Sequence, residues 1–269
     1  MTVVRRRLDV ELVRRGLAES RTNAARLIGE GRVRVAGMPA TTSARRVEAG
    51  APITVVTEGP RFVSRGGVKL ARALDTFAVA LDGRIALDAG ASTGGFTDCL
   101  LQHGAARVHA VDVGRGQLAW SIRQDPRVVV YERTNVRTID AGFLGEPVDV
   151  VVADLSFISL ATVLPALTAC ANAGADIVPM VKPQFEVGRD QVGSGGVVSD
   201  PQLRATAVLA VAGRAEALGW QTVDVTASPL PGPSGNVEYF LRLRATTERA
   251  LHGDELDAAV RRAVTEGPQ

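Results

Sequence analysis

Ile85-Ala86-Leu87-Asp88-Ala89-Gly90-Ala91-Ser92-Thr93-Gly94-Gly95-Phe96-Thr97 is the stretch on which the reading of this chain turns. Residues 85–89 form the short apolar run that a buried strand needs. Glycines then occupy positions 90, 94 and 95, and Asp98-Cys99-Leu100-Leu101 reads as the start of a helix. Strand, glycine-rich turn and helix is the layout of a nucleotide-type cofactor site in an open α/β sheet. Glycine serves where the backbone must turn tightly and lie close to a ligand. An ordinary strand-to-helix turn carries the same glycines, so the stretch takes its meaning from its surroundings.

Moving outward, residues 108–111 read as a second strand ending in Asp112, which lies 22 residues after Gly90. That is close to the spacing at which a carboxylate accepts from ribose hydroxyls. Further strands are expected at 128–131, at 148–153 ending in Asp154, and at 177–181 ending in Lys182-Pro183. A helix is expected over 201–218, then strands near 221–225 and 239–243. Strands alternating with helices predict an α/β fold, a largely parallel sheet covered on both faces. Asp112, Asp154 and Lys182 all fall just past strand ends, where such sheets place their ligands. A helix from Ser64-Arg65-Gly66-Gly67-Val68-Lys69-Leu70 through Phe77 opens this larger unit.

Residues 6–57 follow a different pattern. Leu8, Leu12 and Val13 recur at helical spacing before Gly16. Ser20 suits the N-cap of a second helix carrying Ala24, Ala25, Leu27 and Ile28 on one face. Arg32-Val33-Arg34-Val35 alternates as a half-exposed strand does, and residues 53–56 close the unit as another. Residues 1–65 hold 13 Arg, no Lys and 6 acids, whereas residues 66–269 hold 16 Arg, 2 Lys and 23 acids. A basic end joined to a mildly acidic body points to an anion-binding module, or else to a solvated basic face. Guanidinium forks suit phosphates, so Arg6, Arg7, Arg21, Arg26, Arg32, Arg34 and Arg65 are the expected contacts to an RNA backbone. The expected division is 1–58, a linker at 59–64 containing Gly59-Pro60-Arg61, and 65–269.

At 46% apolar and 22% charged the chain has an ordinary globular balance. Cys99 and Cys170 are far apart, and His103, His109 and His252 do not cluster, so no disulfide framework and no metal are expected. Arg5-Arg6-Arg7 is followed by no apolar stretch, so the start does not read as a signal peptide, and a cytoplasmic protein is expected. Residues 155–175 lack formal charge over a length that could span a membrane. Their Ser, Thr, Asn, Pro and Gly content fits a buried helix between sheet strands better, so no stable membrane association is expected. A monomer is the working expectation for assembly.

Two resemblances now stand on quoted residues. Arg7-Leu8-Asp9, Leu12-Val13, Gly16-Leu17, Ser20-Arg21, Ala24-Ala25, Leu27-Ile28 and Gly31-x-Val33-x-Val35-x-Gly37 together resemble an S4 RNA-binding domain. Such domains dock structured, often ribosomal, RNA. The second begins from a count: the chain has 31 basic residues, of which only Lys69 and Lys182 are lysine. Arginine stays protonated, while lysine is compact and can lose its proton in a tuned environment. A lysine kept against that bias suggests a task arginine cannot perform. With Asp154 and Glu238 these lysines form a group that could position and activate a hydroxyl. A structural salt-bridge cluster reads equally well from spacing alone.

Lys69, the glycine turn, Asp112, Asp154, Lys182-Pro183-Gln184-Phe185 and Glu238 resemble an FtsJ-type RNA ribose 2′-O-methyltransferase. That resemblance implies a Rossmann-like class I methyltransferase with a seven-stranded sheet. It also implies a Lys-Asp-Lys-Glu tetrad at Lys69, Asp154, Lys182 and Glu238. S-adenosylmethionine is the implied cofactor, at Asp88, Gly90, Ala91, Ser92, Thr93, Gly94, Gly95, Phe96, Thr97, Asp112, Asn135 and Asp154. Asn135 departs from the broader pattern, in which an aspartate often faces the adenine. An S4 domain joined to this unit resembles the TlyA family over nearly the whole chain. The implied activity is methylation of cytidine ribose in ribosomal RNA of the small subunit, with the large subunit as a second expected substrate. The family often carries a haemolysin label, which this sequence does not support as pore formation. Lys182 as general base and Lys182 as oxyanion stabiliser both remain open here. Rival readings are a NAD-dependent enzyme, which lacks its G-x-G-x-x-G order here, a non-enzymatic ribosome assembly factor, and a membrane-lytic, haemolysin-like protein, which would need an exposed apolar surface.

Overall fold

The computed structural model describes residues 5–56, 61–247 and 249–268, apart from the side chains of Arg189 and Ser194. Two compact units divide after Arg65. Of the expected linker, residues 59 and 60 lie outside the described residues, as does Glu58.

The first unit runs β1 (Arg5–Arg7), α1 (Leu8–Arg14), α2 (Arg21–Gly29), β2 (Val33–Val35), β3 (Met38–Pro39), β4 (Arg46–Glu48) and β5 (Ile53–Val55). Ser20 caps α2 by accepting from Asn23 N at 3.1 Å, which satisfies one of the helix's free N–H groups. Leu8, Leu12, Ala24, Leu27, Ile28, Val33, Val35 and Val47 form one core. Ala25, expected on the buried face, is exposed. It stands about 100° round the helix from Ala24, off the stripe formed by 24, 27 and 28. The pairing of β1 with β4, antiparallel with Arg6 opposite Val47, went unread in the sequence. A strand of three arginines has no apolar period to betray it.

The second unit opens with α3 (Arg65–Phe77) and continues β6 (Ile85–Ala89), α4 (Gly95–Gln102), β7 (Arg107–Val111), α5 (Trp120–Arg123) and β8 (Val128–Tyr131). Then come α6 (Ala141–Leu144), β9 (Val148–Ala153), α7 (Leu160–Cys170), β10 (Ala171–Val181) and α8 (Pro183–Glu186). The last elements are α9 (Pro201–Glu216), β11 (Gln221–Ala227), β12 (Tyr239–Arg244) and α10 (Gly253–Glu266). Seven strands form one sheet in the order β11-β12-β10-β9-β6-β7-β8. β12 is antiparallel to both its neighbours, and the other pairings are parallel. Val108, Val150, Val151, Val152, Ile177 and Val178 are fully buried, as expected of strands covered on both faces.

Two expectations change. The uncharged window is a helix, α7, followed directly by the start of β10, which begins at Ala171 rather than at 177. Asn172, Gly174 and Asp176 hid that start, and the register with β9 shifts between Ala171 and Asp176. α4 begins at Gly95 rather than at Asp98, because Gly94 adopts φ +94° at its N-cap. Both cysteines are buried and free. No described helix is long and apolar enough to cross a membrane.

Candidate active site

Strand order reverses direction between β6 and β9, and the chain leaves both strands there with a site residue. Such a switch point leaves a crevice beyond the strands' C-terminal ends. Gly90 follows β6 at φ +89°. Asp154 follows β9, and its N–H donates to Ala89 O at 3.0 Å. A cleft of about 400 Å³ opens there, lined by Gly90, Ser92, Asp112, Thr134, Asp154 and Ser156 among polar or small residues. Val111, Val136 and Leu155 supply its apolar wall.

The expected cofactor residues separate into two groups. Gly90, Ser92, Asp112 and Asp154 line the cleft. Asp112 accepts from Ser92 N at 2.8 Å and Gly114 N at 2.6 Å, which fixes its carboxylate at the end of β7. Ala91, Gly94, Gly95, Phe96 and Thr97 are buried beneath. Phe96 packs on Phe240 with ring centroids 6.1 Å apart. Thr93 is exposed, and its carbonyl accepts from Ala119 N at 3.1 Å. Asn135 is exposed and absent from the lining; its side chain accepts from Arg137 N at 3.0 Å, capping a short turn.

Asp88 is fully buried below the turn, accepting from Thr97 Oγ1 at 2.6 Å while Oδ1 has no partner. Burial pushes its carboxyl up to about 7; the Thr97 hydrogen bond opposes this, and the charges of Asp154 and Asp112 add to it. Three carboxylates therefore converge on the strand ends, and among the described residues only Asp154 of the three has an ion-pair partner.

The four residues of the implied tetrad come together as two ion pairs. Lys182 Nζ lies 2.6 Å from Asp154 Oδ1 and donates to Ser156 Oγ at 3.0 Å. Lys69 Nζ donates to Glu238 Oε2, both residues being buried. Lys69 reaches this position from the buried stripe of α3, beside Leu70, Ala73, Leu74 and Phe77. A lysine there is costly unless paired, so the stripe and the ion pair depend on each other. The sheet register joins the two pairs. Val181 stands opposite Tyr239 in the antiparallel pairing of β10 with β12, so the next positions are Lys182 and Glu238. Residues directly opposite one another have Cβ atoms about 5 Å apart. The two lysines are thus on the same edge of the sheet, with the cleft beside Asp154.

Phe157 was not singled out in the sequence. It is 92% exposed and takes φ +64°, an uncommon conformation for a bulky residue. Its ring stands 5.4 Å from that of Phe185, and both border a second cleft of about 540 Å³. The only sequence signal was position, three residues past Asp154. Glu186 ties the two loops: it accepts from Ser159 Oγ at 2.6 Å and Leu160 N at 2.8 Å.

In the first unit the seven expected arginines differ in availability. Arg7 and Arg21 share Asp9, at 3.0 and 3.1 Å, and Arg26 pairs with Glu30 at 2.6 Å. Arg6 approaches Glu11 at 3.9 Å. Arg32 is turned inward, donating to Val56 O at 2.9 Å. Arg34 is exposed and has no ion-pair partner among the described residues, and Arg65 is exposed at the start of α3. Arg14 and Arg15 hold Glu11 near 2, and Arg7 with Arg21 holds Asp9 near 2, well below the usual carboxylate range.

A family model described as S4 domain matches residues 6–53, and one described as FtsJ-like methyltransferase matches residues 62–245. The chain is 65% identical over 98% of its length, and 99% of the relative's, to the 16S/23S rRNA (cytidine-2'-O)-methyltransferase TlyA of Mycobacterium tuberculosis. It is 39% identical to Hemolysin A of Brachyspira hyodysenteriae, covering 87% of this chain and 98% of that one. A solved structure of a hemolysin-named protein from Streptococcus thermophilus superposes with a TM-score of 0.74 at 35% identity, covering 98% of each chain. With both units matched in order and identity of this size sustained along the chain, the protein belongs to the TlyA family, an S4 domain joined to an FtsJ-like methyltransferase.

Proposed function

We propose that the chain transfers a methyl group from S-adenosylmethionine to the 2′-oxygen of cytidine in ribosomal RNA, in the 16S and 23S molecules. Acting on ribosomal subunits, it works in the cytoplasm. The observation that carries this reading is the pair of lysine–carboxylate contacts brought into register at the end of β10 and the start of β12.

The cleft suits the cofactor. A side chain at Gly90 would strike Asp154 O at 2.5 Å, so the turn's bareness keeps the backbone of β6 against that of β9. Val111, Val136 and Leu155 offer an apolar wall for a base, and Asp112 offers acceptors for ribose hydroxyls. Asp112 and Asp154 present carboxylates at the cleft, where negative charge stabilises a ligand with sulfonium and ammonium groups. When bound, S-adenosylmethionine supplies a methyl group on a positively charged sulfur.

This chain's part is positioning and charge. Asp154 holds Lys182 at the cleft, and Glu238 holds Lys69 beside it. The 2′-oxygen must approach in line, so fixing it supplies much of the rate. An ammonium at that point stabilises the oxygen as its proton leaves. Phe157 and Phe185 present apolar faces where an unstacked base can rest, as single-stranded RNA recognition requires. A paired and stacked ribose is hard to reach in line, which favours a flipped-out nucleotide. The S4 unit follows phosphates through Arg34 and the exposed parts of Arg6, Arg7, Arg21, Arg26 and Arg65.

The test is to incubate the protein with ribosomal subunits and methyl-labelled S-adenosylmethionine, then map the label by nuclease digestion and mass spectrometry. Label on cytidine 2′-oxygen supports the reading; label on a base, or none, refutes it.

A further inference from the structure

Lys182 Nζ has four tetrahedral directions. One holds Cε. Ser156 Oγ accepts along a second at 3.0 Å, and Asp154 Oδ1 lies 2.6 Å from Nζ as its ion-pair partner. We infer that Ser156 is a positioning residue that, together with Asp154, holds Lys182 Nζ so that a remaining direction faces the ribose 2′-oxygen.

The inference rests on the methyltransferase reading and deepens it. It holds for both roles open to Lys182. A charged ammonium donates one of its three hydrogens to Ser156 and can turn another toward the oxygen, and a neutral amine can donate to Ser156 and present its lone pair there. The ion-pair contact with Asp154 holds the position of Nζ, and the Ser156 hydrogen bond fixes rotation about the Cε–Nζ bond.

The placement of Ser156 supports this. It lies two residues past Asp154 on the same loop, lines the cleft, and is exposed rather than packed into the core. Its hydroxyl can rotate to accept from Lys182, and its exposure leaves room for a methyl group. The loop is anchored from the far side, where Ser159 Oγ and Leu160 N both donate to Glu186. Ser156 is thus held from both ends, by Asp154 at the sheet and by α7 at the helix start. Arginine at 182 could satisfy Asp154 but would leave no single directed N–H in this geometry.

The test compares the full-length protein with Ser156→Ala, Ser156→Thr and Lys182→Met on intact ribosomal subunits. Single-turnover methylation is measured over a pH series, with S-adenosylmethionine affinity and RNA KM measured alongside. Ser156→Ala is expected to lower the single-turnover rate by about 10- to 100-fold. Cofactor affinity and RNA KM should stay within about twofold of the parent and melting temperature within roughly 5 °C, since the change removes one hydrogen bond of an exposed hydroxyl. Ser156→Thr should restore most of the rate, because it returns the hydroxyl. A Ser156→Ala rate equal to the parent while Lys182→Met is inactive overturns the inference and leaves the methyltransferase reading standing. Equal loss in Ser156→Ala and Ser156→Thr, with RNA KM raised instead of kcat lowered, also overturns it. Full activity in Lys182→Met would overturn the underlying reading as well.

Discussion

Replacing Gly90 with alanine would strike both walls of the proposed cofactor site at once. At φ +89° a non-glycine residue costs on the order of 1–3 kcal/mol. A Cβ at this position would lie 2.5 Å from Asp154 O and 3.0 Å from Leu155 Cδ2. A carbon rests no closer than about 3.3 Å to a carbonyl oxygen, so the gap must open by about 0.8 Å. Neither backbone yields easily: Gly90 N donates to Val111 O at 2.8 Å and Asp154 N to Ala89 O at 3.0 Å. The displacement falls on the residue whose carboxylate is 2.6 Å from Lys182 Nζ. Strain and overpacking together should cost about 2–4 kcal/mol. For a unit of this size that lowers the melting temperature by roughly 5–15 °C. A misplacement approaching 1 Å costs about 100-fold in rate, so single-turnover methylation should fall by at least about 10-fold. Calorimetry of the purified variant gives the stability, and titration with S-adenosylmethionine should show affinity reduced at least about 10-fold. A Gly90→Ala protein with parental melting temperature, affinity and rate would refute the close approach of β6 to β9.

Four further outcomes follow from other parts of the molecule. Asp88 has a folded-state pKa near 7 against about 3.9 unfolded, so the folded state holds its proton more tightly, and stability falls as pH rises from about 4 to about 7. The full difference is on the order of 4 kcal/mol; Asp88→Asn should flatten that slope in denaturant melts, and an unchanged slope would contradict it. Asp9 and Glu11 run the other way: their folded-state values near 2 lie below the unfolded ones, so the S4 unit should lose stability as pH falls from about 4 toward 2, read by NMR. A Cβ at Gly232 would lie 2.7 Å from Glu238 Oε1, so Gly232→Ala should displace that carboxylate from Lys69 and lower the methylation rate at least about 10-fold with the fold intact. Arg34→Glu should raise RNA KM several-fold, flatten its salt dependence by about one unit of slope or more, and leave the rate at saturation unchanged.

How much of this was legible in the sequence differs from one element to the next. The parallel strands could be read because β-branched runs such as 148–153 are buried on both faces and end in a charged residue. The rarity of lysine drew attention to Lys69 and Lys182, but their grouping with Asp154 and Glu238 came from the family resemblance; in the structure the four form two ion pairs, with 182 opposite 238 in the register of β10 and β12. Asp88 read as a cofactor contact, yet it lies under the turn with one oxygen unpartnered, since a strand's last residues alternate faces and sequence does not say which is covered. Arg32 read as a phosphate contact, yet its guanidinium closes the end of β5 by donating to Val56 O. Phe157 was missed because an exposed aromatic in a loop has no period, and only its backbone angle and its distance from Phe185 distinguish it. β1 was missed because three consecutive arginines show no apolar alternation; it pairs with β4 through backbone and through the Arg5–Glu48 ion pair at 2.8 Å.

The most direct measurement of the central claim is single-turnover methyl transfer to ribosomal subunits by Lys182→Arg, with S-adenosylmethionine affinity measured on the same preparation. The account predicts a loss of at least about 100-fold in rate with affinity within a few-fold of the parent, because charge is kept while the directed ammonium is lost. A Lys182→Arg protein that methylates cytidine 2′-oxygen at near the parental rate would contradict it.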